Sequence, residues 1–163
     1  MCTLYHASNK LWQVGERWGI EMFEGEETYD HENRPPEEKE VNDLLDQSKP
    51  LEVVVSRKKC IYLFGDLRQC KEYAQKGNIA HIYEVKPDDL FGPYPMVLVN
   101  RCMREPDNED IRDEYWHPTQ HWKYMEFLTS SFTILSEIPS GRTVIMNADY
   151  TDDIMLARRI FGE

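Results

Sequence analysis

The chain has 163 residues, 40% of them hydrophobic and 12% aromatic, which sets the expectation of one domain around one core. Thirty acidic residues against 19 basic ones give a formal charge of −11, a field that repels a phosphate backbone and makes a nucleic-acid partner less favoured. No apolar run approaches the roughly 20 residues of a membrane span, and Met1-Cys2-Thr3-Leu4-Tyr5-His6 lacks the basic start of a signal peptide, so a soluble cytoplasmic domain with no membrane partner is expected.

Thr3 to His6 reads as a short opening strand. From Glu21 to Asp46 the composition turns strongly acidic, and Arg34-Pro35-Pro36 interrupts any regular element. A helix is expected over Glu37 to Leu45, with Val41, Leu44 and Leu45 on one face. The acidic stretch as a whole reads as a solvated excursion between core elements, with an active-site lid as the sharper alternative. Leu51 to Ser56 is β-branched and strand-like, and Lys58 and Lys59 lead into a second strand, Cys60-Ile61-Tyr62-Leu63-Phe64. Asp66, with Gln69 three residues on, has the form of a capping box for a helix over Leu67 to Gln75, which Gly77 is placed to stop with left-handed geometry.

His81 to Lys86 alternates as a strand ended by Pro87, and the apolar run in Pro95 to Asn100 reads as another. Arg101 to Thr119 is polar and proline-punctuated, the signature of a long loop. Strands are expected over Phe132 to Ile138 and Thr143 to Met146, on either side of the turn Pro139-Ser140-Gly141. Thr151 to Phe161 has the pattern of an amphipathic helix. Many short strands with few helices give an α+β class.

Cys2, Cys60, Cys70 and Cys102 form no C-x-x-C pair and read as reduced thiols, Cys60 and Cys70 as packing residues. No G-x-G-x-x-G, P-loop or H-E-x-x-H occurs. His117 and His121 have a spacing that suits a metal on a helix face, but Pro118 and Thr119 lie between them and no third ligand is evident, so no metal is expected.

What remains is a dispersed set: Tyr5-His6-Ala7-Ser8 at the end of the first strand, Tyr62 and Tyr73 on adjoining elements, and Glu126 amid aromatic residues in Trp122-Lys123-Tyr124-Met125-Glu126-Phe127-Leu128. Taken singly, each has an ordinary reading. A histidine at a strand end is usually hydrogen-bonded, paired tyrosines are usually core, and a glutamate beside apolar residues usually turns to water because burying it unpaired is costly.

In order and spacing the set resembles the ADP-ribosyltransferases of the His-Tyr-Glu type, the group of diphtheria-type toxins and poly-ADP-ribose polymerases. Tyr5-His6-Ala7-Ser8 is similar to the family's Tyr-His-Gly-[Thr/Ser] strand and precedes a family-like Val14-Gly15-Glu16. Tyr62 is followed eleven positions on by Tyr73, as in the family's middle strand and helix. His81-Ile82-Tyr83-Glu84-Val85-Lys86-Pro87 is similar to the Tyr-x-Val-x-Pro strand of rifamycin ADP-ribosyltransferases, and Glu126 resembles the acidic residue shortly before a late strand. The likeness runs from about Leu4 to Ile138.

The resemblance implies an ADP-ribosyltransferase-like split β-sheet core with short flanking helices. It would be a single domain over 1–163, with a core about 3–138 and a strand-helix extension over 139–163. It implies NAD as substrate, Tyr62 and Tyr73 sandwiching the nicotinamide, His6 on a ribose hydroxyl of the adenosine half, the Ala7 backbone on the carboxamide, and Glu126 on the 2′-hydroxyl of the nicotinamide ribose. Cleavage there passes through an oxocarbenium-like state and releases a neutral leaving group, so positioning and electrostatics matter more than a strong acid. Arg57 or Arg17 are the candidates for the NAD pyrophosphate, while Lys58 and Lys59 read as a solvated basic turn. Ala7 replaces the family's glycine, which requires an ordinary negative φ there. Tyr124 stands two before the glutamate where some toxins have Glu or Gln, so no acceptor preference carries over.

The expected activity is NAD-dependent transfer of ADP-ribose to a protein or small-molecule acceptor. The alternatives are NAD hydrolysis, an RNA 2′-phosphotransferase, which the charge disfavours, and a non-catalytic NAD- or ADP-ribose-binding or acidic protein-docking module.

Overall fold

The structure is a computed structural model that describes residues 3–23 and 36–139. The strand and helix expected over 143–161 lie outside the described residues, as does the first part of the Arg34-Pro35-Pro36 break.

Among the described residues, seven strands form two antiparallel sheets. β1 (Leu4–Ser8), β4 (His81–Pro87), β7 (Ser131–Glu137) and β2 (Arg17–Gly19) lie side by side in that order, and β3 (Ile61–Leu63), β6 (Met125–Thr129) and β5 (Phe91–Pro95) form the second sheet. Period-two alternation decides what each strand faces. Leu4, Ile61, Leu63, Tyr83, Val85, Phe132 and Ile134 meet between the sheets, joined by Trp12. Phe64 and Ile82 face the other way, against Cys70 and Ala74 of α2 (Leu67–Lys76). On the far side of the three-stranded sheet, Leu128 and Tyr94 pack under α1 (Pro36–Gln47), α3 (Met96–Arg104) and α4 (Glu109–Trp116), which contribute Val41, Leu45, Leu98, Cys102, Tyr115 and Trp116. The class is therefore α+β, with helices on both outer faces.

Several local expectations hold for the physical reason given. The Asp66 side chain accepts from Gln69 N at 3.0 Å and starts α2, although the Gln69 amide turns away to Lys123 O at 2.7 Å, so the cap is one-sided. β4 ends at Pro87, which supplies no further N–H to a ladder.

Others are corrected. Gly77 is an ordinary helix end (φ −82), and the left-handed residue is Asn78 (φ 50); Ile79 N donates to Ala74 O at 2.7 Å, the closure of a Schellman motif one residue later than expected. Leu51 to Ser56 is not a strand. Val53 and Val55 are buried on either side of exposed Val54, but Leu51, which strand alternation would place with them, is exposed, and among the described residues the segment finds no strand partner beyond an isolated bridge from Ser56 to Lys59. Pro95 to Asn100 is not a strand either: β5 stops at Pro95 and α3 begins at Met96, because the run continues at i, i+4 spacing from Leu98 to Cys102, both buried. The loop expected over Arg101 to Thr119 contains the end of α3 and all of α4, capped by Asn108 accepting from Asp110 N at 3.1 Å and burying Tyr115 and Trp116. The acidic stretch is not wholly solvated, since α1 buries Val41, Asn42 and Leu45 in the core.

Two hinges of the backbone bring the candidate residues into place. At β5 the register on β6 shifts between Phe91 and Tyr94, where Gly92 (φ 122) lies so close to Glu126 O and Phe127 that a Cβ would crowd them; beyond it Tyr94 pairs with Glu126. Between β6 and β7, Asp89 accepts from Thr129 Oγ1 (2.8 Å), Ser130 N (2.7 Å) and Ser130 Oγ (2.5 Å), and Asp88 accepts from Ser131 Oγ at 2.6 Å. Burial raises the Asp89 pKa, but the Ser130 and Thr129 donors outweigh it and hold the group below its usual 3.8; the Ser131 bond does the same for Asp88.

These depressed values stabilise the fold fully above the ordinary carboxylate range, and the contribution is lost as pH falls through the folded-state pKa values. Urea midpoints measured between about pH 5 and pH 2 therefore drop for the wild type, and Asp89→Asn gives a shallower decline. At Asn78, replacement by Ala costs about 1 kcal/mol more than replacement by Gly, read from the same urea curves, because a Cβ without a polar partner is strained in the left-handed region.

Candidate functional site

β1 is the outer strand of its sheet, and its free side runs beside β3. At one point the two strands join: Tyr5 N donates to Phe64 O at 2.9 Å and Phe64 N to Tyr5 O at 2.8 Å. This reciprocal pair fixes the parity of the ladder. The N–H and C=O of Tyr5 point to β3, so those of Ala7, two residues on, leave the same side, away from β4. Continued ladder pairing would set Ala7 opposite Tyr62. Instead the strands part, and His6 Nδ1 donates across the opening to Tyr62 O at 2.9 Å. Among the described residues no hydrogen bond from β3 reaches the Ala7 backbone. Ala7 keeps an ordinary negative φ.

The His6 ring is 8% exposed and sits 5.8 Å from Trp12 and 5.2 Å from Phe132, centre to centre. Trp12 Nε1 beside it is buried without a hydrogen-bond partner among the described residues, a state that costs about 1–3 kcal/mol.

Across β3, on the helix-covered face, lies a second group. Tyr62 pairs with Leu128, and Glu126, two residues before Leu128, shares that face with Tyr62 and with its own partner Tyr94. The Glu126 carboxylate is 5% exposed and meets Arg57, 2% exposed, Nη1 to Oε1 at 2.6 Å. Tyr115 Oη donates to the same oxygen at 2.7 Å and itself accepts from Arg57 Nη1. Arg57 Nε donates to Asn42 Oδ1 at 2.9 Å, its backbone N–H to Asp46 Oδ1 at 2.8 Å, and its carbonyl accepts from Tyr62 Oη at 2.6 Å. The guanidinium lies 5.2 Å from the Tyr62 ring and 5.0 Å from the Tyr115 ring.

Burial works against the Arg57 charge, but the electrostatic interactions with Tyr115, Tyr62 and Glu126 outweigh it and hold the group well above its usual value. Burial also pushes the Tyr115 hydroxyl well above the usual tyrosine range, which keeps it a donor. Oε1 thus takes two donors, while Oε2 of Glu126 accepts no hydrogen bond from any described residue.

Of the residues singled out in the sequence, Tyr62, Arg57 and Glu126 come together, and His6 joins them through the Tyr62 carbonyl. Glu126 lies within strand β6, shortly before β7, the late strand it was expected to precede. Tyr73 is on α2, its ring 5.1 Å from Phe64, in the cluster beneath the four-stranded sheet, whereas Tyr62 packs with the helix-covered cluster. Arg17 is exposed and bonded to Glu21 and to Asp88, the latter at 3.2 Å. Arg57 faces inward on Glu126 and Asn42. Sequence reasoning missed Tyr115, Asn42 and Trp12. Asn42 had a signal, a polar residue on the face between Val41 and Leu45, and Tyr115 had one in the Asn108 cap followed by Ile111 and Tyr115 four apart. Cys60, Cys70 and Cys102 are buried, and burial pushes the Cys70 thiol up to about 12 and that of Cys102 up to about 11, away from the reactive thiolate.

No protein-family model matches the chain, and no curated protein matches it either. The family likeness therefore rests on the quoted residues.

Removing one partner of the buried pair strands the other. Arg57→Met lowers stability by about 3–5 kcal/mol in urea unfolding, and adding Glu126→Leu to it restores a large part of the loss.

Proposed function

We propose that this chain is an NAD-dependent ADP-ribosyltransferase that cleaves the nicotinamide–ribose bond and passes ADP-ribose to a protein or small-molecule acceptor. The observation that carries the reading is Glu126: one carboxylate oxygen is anchored by Arg57 and Tyr115, and the other accepts nothing from the described residues. It stands one strand from Tyr62, whose carbonyl holds His6 next to the open edge of Ala7.

The chemistry of each part is complementary to NAD. A strand edge that offers an N–H and a C=O side by side matches a carboxamide, which presents the reverse pair. The Ala7 backbone would therefore hold the nicotinamide in the manner of an added strand residue. His6, with Nδ1 committed to Tyr62 O, would meet a ribose hydroxyl. Oε2 of Glu126 would accept the 2′-hydroxyl of the nicotinamide ribose and orient it as positive charge grows at the neighbouring carbon.

Arg57 tempers the last role. A guanidinium at 2.6 Å offsets much of the carboxylate's field at a nearby cation, so Glu126 contributes more by fixing the hydroxyl than by Coulomb attraction. The same feature favours the second reading, a module that binds NAD without cleaving it.

Nicotinamide release from labelled NAD, with and without cell lysate, separates the two. The transferase reading expects release by the wild type with label passed to an acceptor. It also expects a loss of about 100-fold or more in Glu126→Gln, which keeps a neutral acceptor for Arg57, while NAD affinity by calorimetry stays within a few-fold. Binding without release in either form establishes the module. Neither release nor binding overturns both.

A further inference from the structure

Resting on the transferase reading, we propose that Tyr115 and Asn42 are positioning residues that act with Arg57 to aim the free oxygen of Glu126. Neither has a place in the family resemblance, and they come from two different helices, α1 and α4.

The argument is one of degrees of freedom. A glutamate side chain on a strand has three rotatable bonds, and its terminal carboxylate torsion is broad. A salt bridge to one nitrogen leaves that torsion nearly free. Here Oε1 receives a second donor, Tyr115 Oη at 2.7 Å, from a different direction, and the two donors are themselves bonded to each other. The triangle of Arg57 Nη1, Tyr115 Oη and Glu126 Oε1 is consistent in its protons: Nη1 donates twice, Oη accepts once and donates once, and Oε1 accepts twice. Rotating the carboxylate by half a turn would break both bonds to Oε1 or exchange the two oxygens, so in either state one oxygen is bound and the other is presented.

Asn42 sets the other end. Its Oδ1 takes Arg57 Nε at 2.9 Å, which fixes the roll of the planar guanidinium about its long axis and hence the direction of Nη1. Asn42, Arg57 and Tyr115 are each 2% exposed or less, so solvent cannot substitute for a lost partner. Tyr62, bonded to the Arg57 carbonyl at 2.6 Å, is tied to the same frame, so the candidate stacking ring and the candidate hydroxyl acceptor share one support.

The test uses the whole chain and NAD. Tyr115→Phe retains the ring packing and removes only the donor. Nicotinamide release should fall between about 10-fold and 100-fold in kcat, with KM for NAD within about twofold, since the defect is one of aim and not of binding. Asn42→Ala should show the same split, more weakly, and serves as the second variant where Tyr115→Phe does not fold.

The decisive comparison is with Glu126→Gln. A residue that works through Glu126 adds no further loss in that background, so Tyr115→Phe/Glu126→Gln should equal Glu126→Gln alone, whereas a general loss of packing multiplies. Unchanged kcat in Tyr115→Phe and Asn42→Ala, or multiplicative loss in the double variant, overturns the positioning role with the transferase reading intact. A wild type that releases no nicotinamide overturns that reading and the inference with it.

Discussion

A fully desolvated ion pair between Arg57 and Glu126 is the contact around which one half of this molecule is arranged. Burying either ion alone would cost several kcal/mol, and the pair is tolerated only because nearly every donor and acceptor around it is used. Arg57 gathers α1 through Asn42, the end of α1 through Asp46, β3 through Tyr62, α4 through Tyr115 and β6 through Glu126. A hydrophobic pair of similar volume would hold these elements as well or better. The polar network adds direction, since each bond has one geometry and shifting any of the five supports disturbs the others. The apolar cluster of Val41, Leu45, Leu98, Tyr94, Trp116 and Leu128 surrounds it and excludes the water that would loosen it.

The other half depends on a failure to pair. β1 and β3 are joined at Tyr5 and Phe64 and then separate, and the histidine at position 6 occupies the gap with a side-chain bond where a backbone bond would otherwise form. Behind it the rings of Trp12, Tyr83 and Phe132 pack against one another in the cluster between the sheets, with Trp12 and Phe132 against the His6 ring. A sheet opened in this way keeps its strand order and exposes main-chain groups within a rigid frame, a combination that loops rarely achieve.

Elements governed by local chemistry were legible in the sequence. β4 follows from alternation, α2 from the Asp66 cap and α1 from its apolar face, and β1 and β7 fall within two residues of the expected strands. What escaped was decided at a distance. Met96-Val97-Leu98-Val99 has strand propensity, yet packing of Leu98 and Cys102 against α1 and α4 makes it a helix. Val53 and Val55 alternate with exposed Val54 and are buried, but among the described residues no strand pairs with them. Within the candidate site, Tyr62, His6 and Glu126 were visible through their resemblance to a known pattern. The inward turn of Arg57 was not, because it is fixed by Tyr115 and Glu126, 58 and 69 positions away. A sequence shows an arginine after a strand-like run; only the fold shows that it has no path to water.

The open edge at Ala7 bears on how such a site changes over time. Under the proposed function a ligand held there would be read by peptide groups, and a peptide group is the same whichever side chain it carries. Position 7 is then constrained in its torsion angles and in the room left for a Cβ, and hardly at all in its letter. Exchange of glycine for alanine is silent in this respect, and so would be other small residues with negative φ. The more informative positions are His6, which bonds across the gap, and Trp12 and Phe132, which pack against its ring. Divergence of the chain can thus erase the familiar motif around the edge while the edge itself persists.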